Sequence, residues 1–170
     1  MGVLKRIGNL FAKPEPPKKE KSMLALMPGD ICEVSLVTYE VTGRVHNRGR
    51  NAVVLTLQDG NTIMYLHIEE RETLQYALYS PLDGRLDNPS EVPTELDLDD
   101  RTFYLEEEYE GHVLVNGKTP FLQGGEQHVW QYQSDDYRLV RIEWQNGRFM
   151  LYEGEKVLTG DVKVIRANHA

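Results

Sequence analysis

The sequence predicts an all-β protein, built from two small antiparallel sheets or partly closed barrels behind a short N-terminal segment. Apolar and polar residues alternate over most of the chain after residue 23, as in strands with one buried face. Turn-forming glycine and asparagine residues separate these alternating runs. No stretch beyond residue 23 has a persuasive helical period, so about a dozen short strands account for the pattern.

Each predicted strand is marked by apolar residues two positions apart. In chain order they are Tyr39, Val41 and Val45; Val53, Leu55 and Leu57; Met64, Leu66 and Ile68; Leu74, Tyr76 and Leu78; Val129 and Leu139; and Phe149 and Leu151. One continuous sandwich is the alternative arrangement of the same strands.

Four short segments predict chain reversals. Asp59-Gly60-Asn61, Asn116-Gly117 and Asn146-Gly147 tolerate positive φ and predict hairpins. Glu153-Gly154-Glu155 predicts a further reversal between residues 149–152 and 156–158.

The proline-containing region from Ser80 to Thr94 is the longest break between strands and divides the chain. We expect a basic segment and linker at 1–22, a first β unit at 23–80, a connection at 81–94 and a second β unit at 95–170.

The two halves contain similar blocks. Thr38–Val41 aligns with Thr102–Leu105, and Leu66–Glu69 aligns with Val140–Glu143. An insertion of about ten residues around 119–126 would make the second copy longer. Duplication is one explanation, and chance repetition of β patterns is the other.

Charge is segregated along the chain, whose formal net charge is -8. Residues 1–22 hold six bases and two acids, which leaves 13 bases and 25 acids for the remainder. An acidic body lacks the basic face that binding to nucleic-acid phosphates requires, so we expect no nucleic-acid partner.

The single cysteine, Cys32, cannot form an intramolecular disulfide, which favours a reducing compartment and a role as a small buried residue. No stretch approaches the roughly 20 apolar residues of a membrane-spanning helix. We therefore expect a cytoplasmic protein, and the basic N-terminal segment is the reason to expect it at the inner face of the plasma membrane.

The first 13 residues predict a short amphipathic helix or a disordered tail. In a helix, one face is apolar and the opposite face is basic. We expect the segment to contact anionic lipid, a partner protein or the β body through Val3, Leu4, Lys5, Arg6, Ile7, Leu10, Phe11 and Lys13. Proline and lysine then predict an extended linker over residues 13–22.

Several blocks occur together in a familiar order. They are Pro28-Gly29-Asp30, Tyr39-Glu40-Val41-Thr42-Gly43, Tyr104-Leu105-Glu106-Glu107, Trp130-Gln131-Tyr132-Gln133-Ser134, Ile142-Glu143-Trp144 and Tyr152-Glu153-Gly154-Glu155. With these blocks, residues 24–166 resemble a bacterial domain family of unknown function, number four thousand one hundred seventy-eight. The resemblance implies an envelope context, with membrane-stress proteins as expected partners, and supplies no catalytic residues.

Metal-binding and catalytic patterns are weak. His67 and Glu69 lie two apart on a strand and could share a metal, but a solvent-facing polar side opposite Leu66 and Ile68 is favoured. The acidic clusters at 97–100 and 106–110 lack a calcium-loop spacing and are more typical of solvated edges. We therefore predict no metal and no cofactor.

Four aromatic residues define the one candidate ligand pocket, although aromatics at strand spacing more often pack a core. They are Trp130, Tyr132, Tyr137 and Trp144. No phosphate loop or nucleophile motif is present. The sequence favours a non-enzymatic binding or adaptor protein with protein partners. The alternative is a small-ligand-binding protein or metal-dependent enzyme with a pocket between the two β units.

Overall fold

The structure is a computed structural model that describes residues 22–167 of the chain. Its eleven β-strands confirm the all-β prediction, and the described residues contain no α-helix, only short 3-10 turns. The strands are β1 (Ile31–Val34), β2 (Val37–Asn47), β3 (Ala52–Asp59), β4 (Thr62–Glu70), β5 (Leu74–Pro81), β6 (Glu95–Leu98), β7 (Arg101–Gly117), β8 (Gly125–Ser134), β9 (Arg138–Gln145), β10 (Arg148–Val157) and β11 (Val162–Arg166). The 3-10 turns are Met23–Ala25, Arg48–Arg50, Pro89–Glu91 and Thr159–Asp161.

Eight antiparallel strands close into one barrel, in the order β2, β3, β4, β5, β10, β9, β8 and β7. Pairing of β5 with β10 and of β7 with β2 joins the two halves of the chain. Strands β1, β11 and β6 extend the sheet beyond the barrel. The prediction of two small barrel units is therefore wrong, because strands from the two halves of the chain hydrogen-bond to each other and form one barrel. The structure does not support duplicated units.

Two long strands pass from the barrel into its extensions. The register of β2 shifts between Val41 and Gly43, and that of β7 shifts between Leu105 and Glu107. Such bulges bend a strand and increase its twist. The first part of β2 can therefore pair with β1, and the first part of β7 can pair with β6.

The largest apolar core lies outside the barrel wall, where β3 and β4 turn Leu55, Leu66 and Ile68 away from the interior. We call it the first outer cluster; its buried members are Met23, Leu26, Cys32, Val34, Tyr39, Val41, Val53, Leu55, Leu57, Leu66, Ile68 and Tyr76. The Met23–Ala25 turn, β1 and β11 cover this face, so the apolar side chains are removed from water.

A second outer cluster lies on the other half of the wall. Its buried members are Phe103, Trp130, Tyr132, Val140 and Ile142. Leu86 and Val92 from the long 82–94 connection pack against it, together with Leu96 and Leu98 of β6. Residues 82–94 of the predicted break at Ser80–Thr94 therefore cover the barrel, while Ser80 and Pro81 belong to β5.

Two predicted hairpins are confirmed, and the other two predicted reversals are wrong. Gly60-Asn61 joins β3 to β4, and Asn146-Gly147 joins β9 to β10 with both residues at positive φ. Asn116-Gly117 instead ends β7, and the 118–124 segment makes the connection to β8. Gly154 lies within the continuous strand β10, where a Cβ atom would approach the carbonyl oxygen of Leu78 to 2.1 Å. Close strand approach, not a turn, requires this glycine.

The predicted N-terminal helix or tail and the contact residues at 1–13 lie outside the described residues. None of the helices within residues 22–167 has the length and hydropathy of a transmembrane span.

Candidate functional site

The barrel interior is polar. Directly paired residues on antiparallel strands project to the same side of the sheet. The register therefore places His67 and Glu69 of β4 on the enclosed face, while Leu66 and Ile68 point outward to the first outer cluster. Both polar residues are buried. The prediction that they face solvent is wrong, because the covering segments reverse which side of β4 carries the apolar core.

A buried ion pair lies on the interior face of β9. Arg141 Nε donates to Glu143 Oε2 at 2.8 Å, and the two side chains are only 5% and 7% exposed. Arg141 Nη1 also donates to the Tyr109 hydroxyl of β7 at 3.1 Å. Buried charges are tolerated when they are paired and hydrogen-bonded. Arg141 therefore connects the walls formed by β7 and β9.

Three tyrosines pack beside this pair. The Tyr65 ring lies 5.2 Å from the Tyr152 ring, and the Tyr79 ring lies 6.4 Å from the same ring, both in edge arrangements. Burial raises the pKa of Tyr79 to about 12. Burial, followed by the negative charge of Glu143, raises the pKa of Tyr152 further. Both phenols are therefore neutral donors at physiological pH.

His67 is the buried imidazole of the interior. Its Nε2 atom is inaccessible to solvent and has no hydrogen-bond partner within residues 22–167. Burial lowers the pKa of His67 well below its usual range, and the positive charges of Arg141, Arg50 and Arg71 lower it further. The ring is therefore neutral, and Nε2 is free to donate or accept one hydrogen bond.

Two arginines and two glutamates surround one end of the interior, which we call the mouth. Glu69 accepts from Arg50 Nε at 2.9 Å and from Arg71 Nε at 2.7 Å. Glu107 accepts from the same two arginines, at 3.3 Å for Arg71. The Arg50 guanidinium lies 3.8 Å above the Tyr109 ring centroid, a cation–π contact. These contacts fix the charged groups at the mouth.

A cavity of about 450 Å³ opens at the mouth. Its lining comes from both halves of the chain and includes His67, Glu69, Tyr79, Gln131, Leu139 and Lys156. At the opposite end the 118–124 loop packs against the barrel, where Gln123 accepts a hydrogen bond from Gln145 at 2.6 Å. The size of the cavity is that of a small-molecule site.

The four aromatic residues predicted to form a pocket are not gathered around one cavity. Trp130 and Tyr132 are buried in the second outer cluster, and Trp144 packs against it. Tyr137 lies in the β8–β9 turn with 71% of its surface exposed. Tyr132 alone borders the mouth cavity, and its hydroxyl donates to the carbonyl of Pro93 at 2.6 Å.

Other histidines of the chain lie apart from the mouth or outside the described residues. His112 Nδ1 lies 3.1 Å from Glu126, and His128 stacks on Trp130 beside Glu108, while His169 is outside the described residues. Within residues 22–167, no three histidine, cysteine or acidic side chains converge in a metal-binding arrangement.

Sequence reasoning missed most of the site. Arg50, Arg71, Arg141 and Lys156 were not singled out, and neither was the role of Glu143. A signal was present, because Leu66–Glu69 and Val140–Glu143 both place charged or imidazole side chains between strongly apolar ones. In each block the apolar side chains point to one face of the strand and the polar ones to the other. This pattern is compatible with a strand that is enclosed on both faces.

Fold and site together define a closed antiparallel β-barrel with a polar interior and a cavity at one mouth. The model of the family described as Domain of unknown function (DUF4178) matches residues 27–159, and the chain belongs to this family. No curated protein and no solved structure matches the chain.

Proposed function

We propose that the chain is a binding protein that holds a small polar molecule in the mouth of its barrel. The observation that carries this proposal is His67, a buried neutral imidazole whose Nε2 atom lacks a partner and which lines the mouth cavity. An unsatisfied buried polar atom costs about 1–3 kcal/mol. A ligand that hydrogen-bonds to Nε2 would remove this cost. The His67 residue borders the cavity but its Nε2 atom is closed to solvent, so a ligand reaches this atom only when the surrounding side chains move aside.

Binding is favoured over catalysis by the state of the interior carboxylates. Glu69 accepts hydrogen bonds from two arginines, and Glu143 accepts one from Arg141. A carboxylate whose oxygens accept hydrogen bonds from guanidinium groups is held in place and has fewer free lone pairs with which to take a proton from a substrate. His67 has no carboxylate hydrogen bond that would orient it as a base within the described residues. The interior is therefore arranged to hold a molecule rather than to activate one.

The pocket between the two halves of the chain agrees with the small-ligand alternative drawn from the sequence. The adaptor activity, the protein partners and the membrane contact through residues 1–13 remain predictions. The membrane contact depends on a segment outside the described residues.

Native mass spectrometry of the full chain, purified without dialysis, tests the proposal. We expect a stoichiometric small-molecule adduct that is lost on denaturation. Gln75→Trp places an indole at an exposed position of the cavity lining and should remove the adduct. Glu72→Trp is the matched control, since Glu72 is exposed in the neighbouring β4–β5 connection and outside the lining. An adduct that survives Gln75→Trp, or the absence of any ligand in binding screens, would contradict the proposal.

A further inference from the structure

The paired charges at the mouth and in the barrel interior balance. Arg50 and Arg71 are paired with Glu69 and Glu107 at the mouth, and Arg141 is paired with Glu143 deeper inside. With His67 neutral, three guanidinium groups face three carboxylates. These paired groups therefore have no net charge, and they cannot neutralise the charge of a ligand.

The edge of the mouth, which we call the rim, carries one further positive and one further negative charge. Lys156 of β10 and Glu106 of β7 both line the cavity and are exposed, and neither forms an ion pair within the described part of the chain. The ammonium and the carboxylate lie on two strands from the same half of the chain, which β8 and β9 separate in the barrel. A molecule that carries both a carboxylate and an amine leaves the net charge at the mouth unchanged. A molecule without charged groups does the same.

Neutral hydrogen-bonding groups make up much of the remaining lining. Gln75, Gln131 and Gln133 supply amides, and Thr73 and Thr159 supply hydroxyls. An amide offers both donors and an acceptor. The lining is therefore suited to hydroxyl, amide, amine and carboxylate groups of a ligand. It also includes His67, whose Nε2 atom has no hydrogen-bond partner within the described residues.

We infer that the mouth selects small polar ligands of zero net charge, including zwitterions such as amino acids, and discriminates against polyanions and polycations. This inference rests on the proposed function and specifies its ligand class. A net charge brought into an enclosed site without an opposite partner loses hydration that the site does not replace. A zwitterion instead meets Lys156 and Glu106, and a neutral polyol or amide meets the glutamines.

Ligand-detected NMR on the full chain, with three sets of probes, tests the inference. The net-neutral set contains neutral amino acids, monosaccharides and polyols; the anionic set contains phosphate, citrate and ATP; the cationic set contains agmatine and ethylenediamine. We expect a net-neutral probe to bind at least about tenfold more tightly than any charged probe. This binding should be lost in Gln75→Trp and kept in Glu72→Trp.

Charge reversal at the rim sharpens the test. Lys156→Glu should raise affinity for the cationic probes relative to the net-neutral ones by about tenfold, because it leaves an excess of negative charge at the mouth. Lys163→Glu makes the same change at an exposed position of β11 outside the lining and should leave the ratio unchanged.

Three outcomes would overturn the inference. If the tightest probe that Gln75→Trp displaces is anionic or cationic, the proposed function stands and the ligand class is wrong. The ligand class is also wrong if Lys156→Glu and Lys163→Glu change the selectivity equally, because rim charge then does not set it. If no probe and no copurified molecule binds at the mouth, both the function and the ligand class are wrong.

Discussion

Replacing His67 by leucine should stabilise the empty protein, and the gain should grow as the pH falls. Leucine fills the buried site without a polar atom, so the unpartnered Nε2 no longer loses hydration on folding. We expect a gain of about 1 kcal/mol in the free energy of unfolding near neutral pH. Ligand binding at the mouth should weaken in the same variant, as is common when a functional polar group is removed from a protein interior.

The pH dependence follows from the lowered pKa of His67 in the folded state. Below its ordinary pKa of about 6.5, the unfolded chain binds a proton at this ring while the folded chain does not. Stability contributed by His67 is therefore present above about pH 6.5 and is lost as the pH falls below it. Leucine has no such loss, so its advantage should increase by about 1.4 kcal/mol between about pH 7.5 and about pH 5.5.

Urea unfolding of the wild type and His67→Leu at the two pH values measures both effects. His112→Leu is the control for loss of an imidazole, since the His112 side chain is exposed and lies outside the barrel. The reasoning is refuted if His67→Leu loses about 2 kcal/mol or more at neutral pH and keeps the pH dependence of the wild type. That result would mean that His67 has a satisfying partner in the folded protein.

Three further perturbations test other parts of the structure. Arg141→Met should lower the unfolding free energy by about 3–5 kcal/mol in urea melts, because it leaves Glu143 charged and buried, and Arg141→Met with Glu143→Leu should recover most of the loss. Gly154→Ala should cost about 2 kcal/mol or more through the clash with the neighbouring strand, whereas Gly160→Ala, with open space around it, should change thermal stability little. Cys32, whose pKa burial raises to about 12, should resist iodoacetamide at about pH 8 until denaturant unfolds the chain, and labelling at the same rate with and without denaturant would contradict its burial.

The strand pattern was predictable from local sequence, and barrel closure was not. Alternating residues and the Asn146-Gly147 turn locate β9 and β10 because both signals depend on a few neighbouring residues. The pairing of β2 with β7 joins residues far apart in sequence, such as Val45 with Val115. No local pattern records such a pairing, so the sequence suggested two units where the structure has one barrel.

The site was missed mainly because the sequence does not show which face of each strand lines the barrel interior. Alternation assigns Leu66 and His67 to opposite faces without saying which face is enclosed. Here the Met23–Ala25 turn, β1 and β11 cover the apolar face from outside, so the polar face lines the barrel. The outcome depends on covering segments that lie at both ends of the described chain.

Gly154 shows a second limit of local reasoning. Flanked by Glu153 and Glu155, it has the composition of a turn, yet it lies in the middle of β10. The cause is the approach of the β5 backbone, a contact between residues more than seventy positions apart. A glycine required by close packing and a glycine required by positive φ cannot be distinguished from sequence alone.

The most direct test of a polar barrel that binds a ligand through His67 is nitrogen-detected NMR of the histidine side chains in the full chain. The account predicts that the His67 ring stays neutral as the pH falls through about 6.5, the ordinary histidine pKa. It also predicts that the Nε2 resonance shifts when the tightest net-neutral probe is added, and that Gln75→Trp abolishes this shift. Protonation of His67 near pH 6.5, together with an Nε2 resonance that no mouth-binding probe changes, would contradict the account.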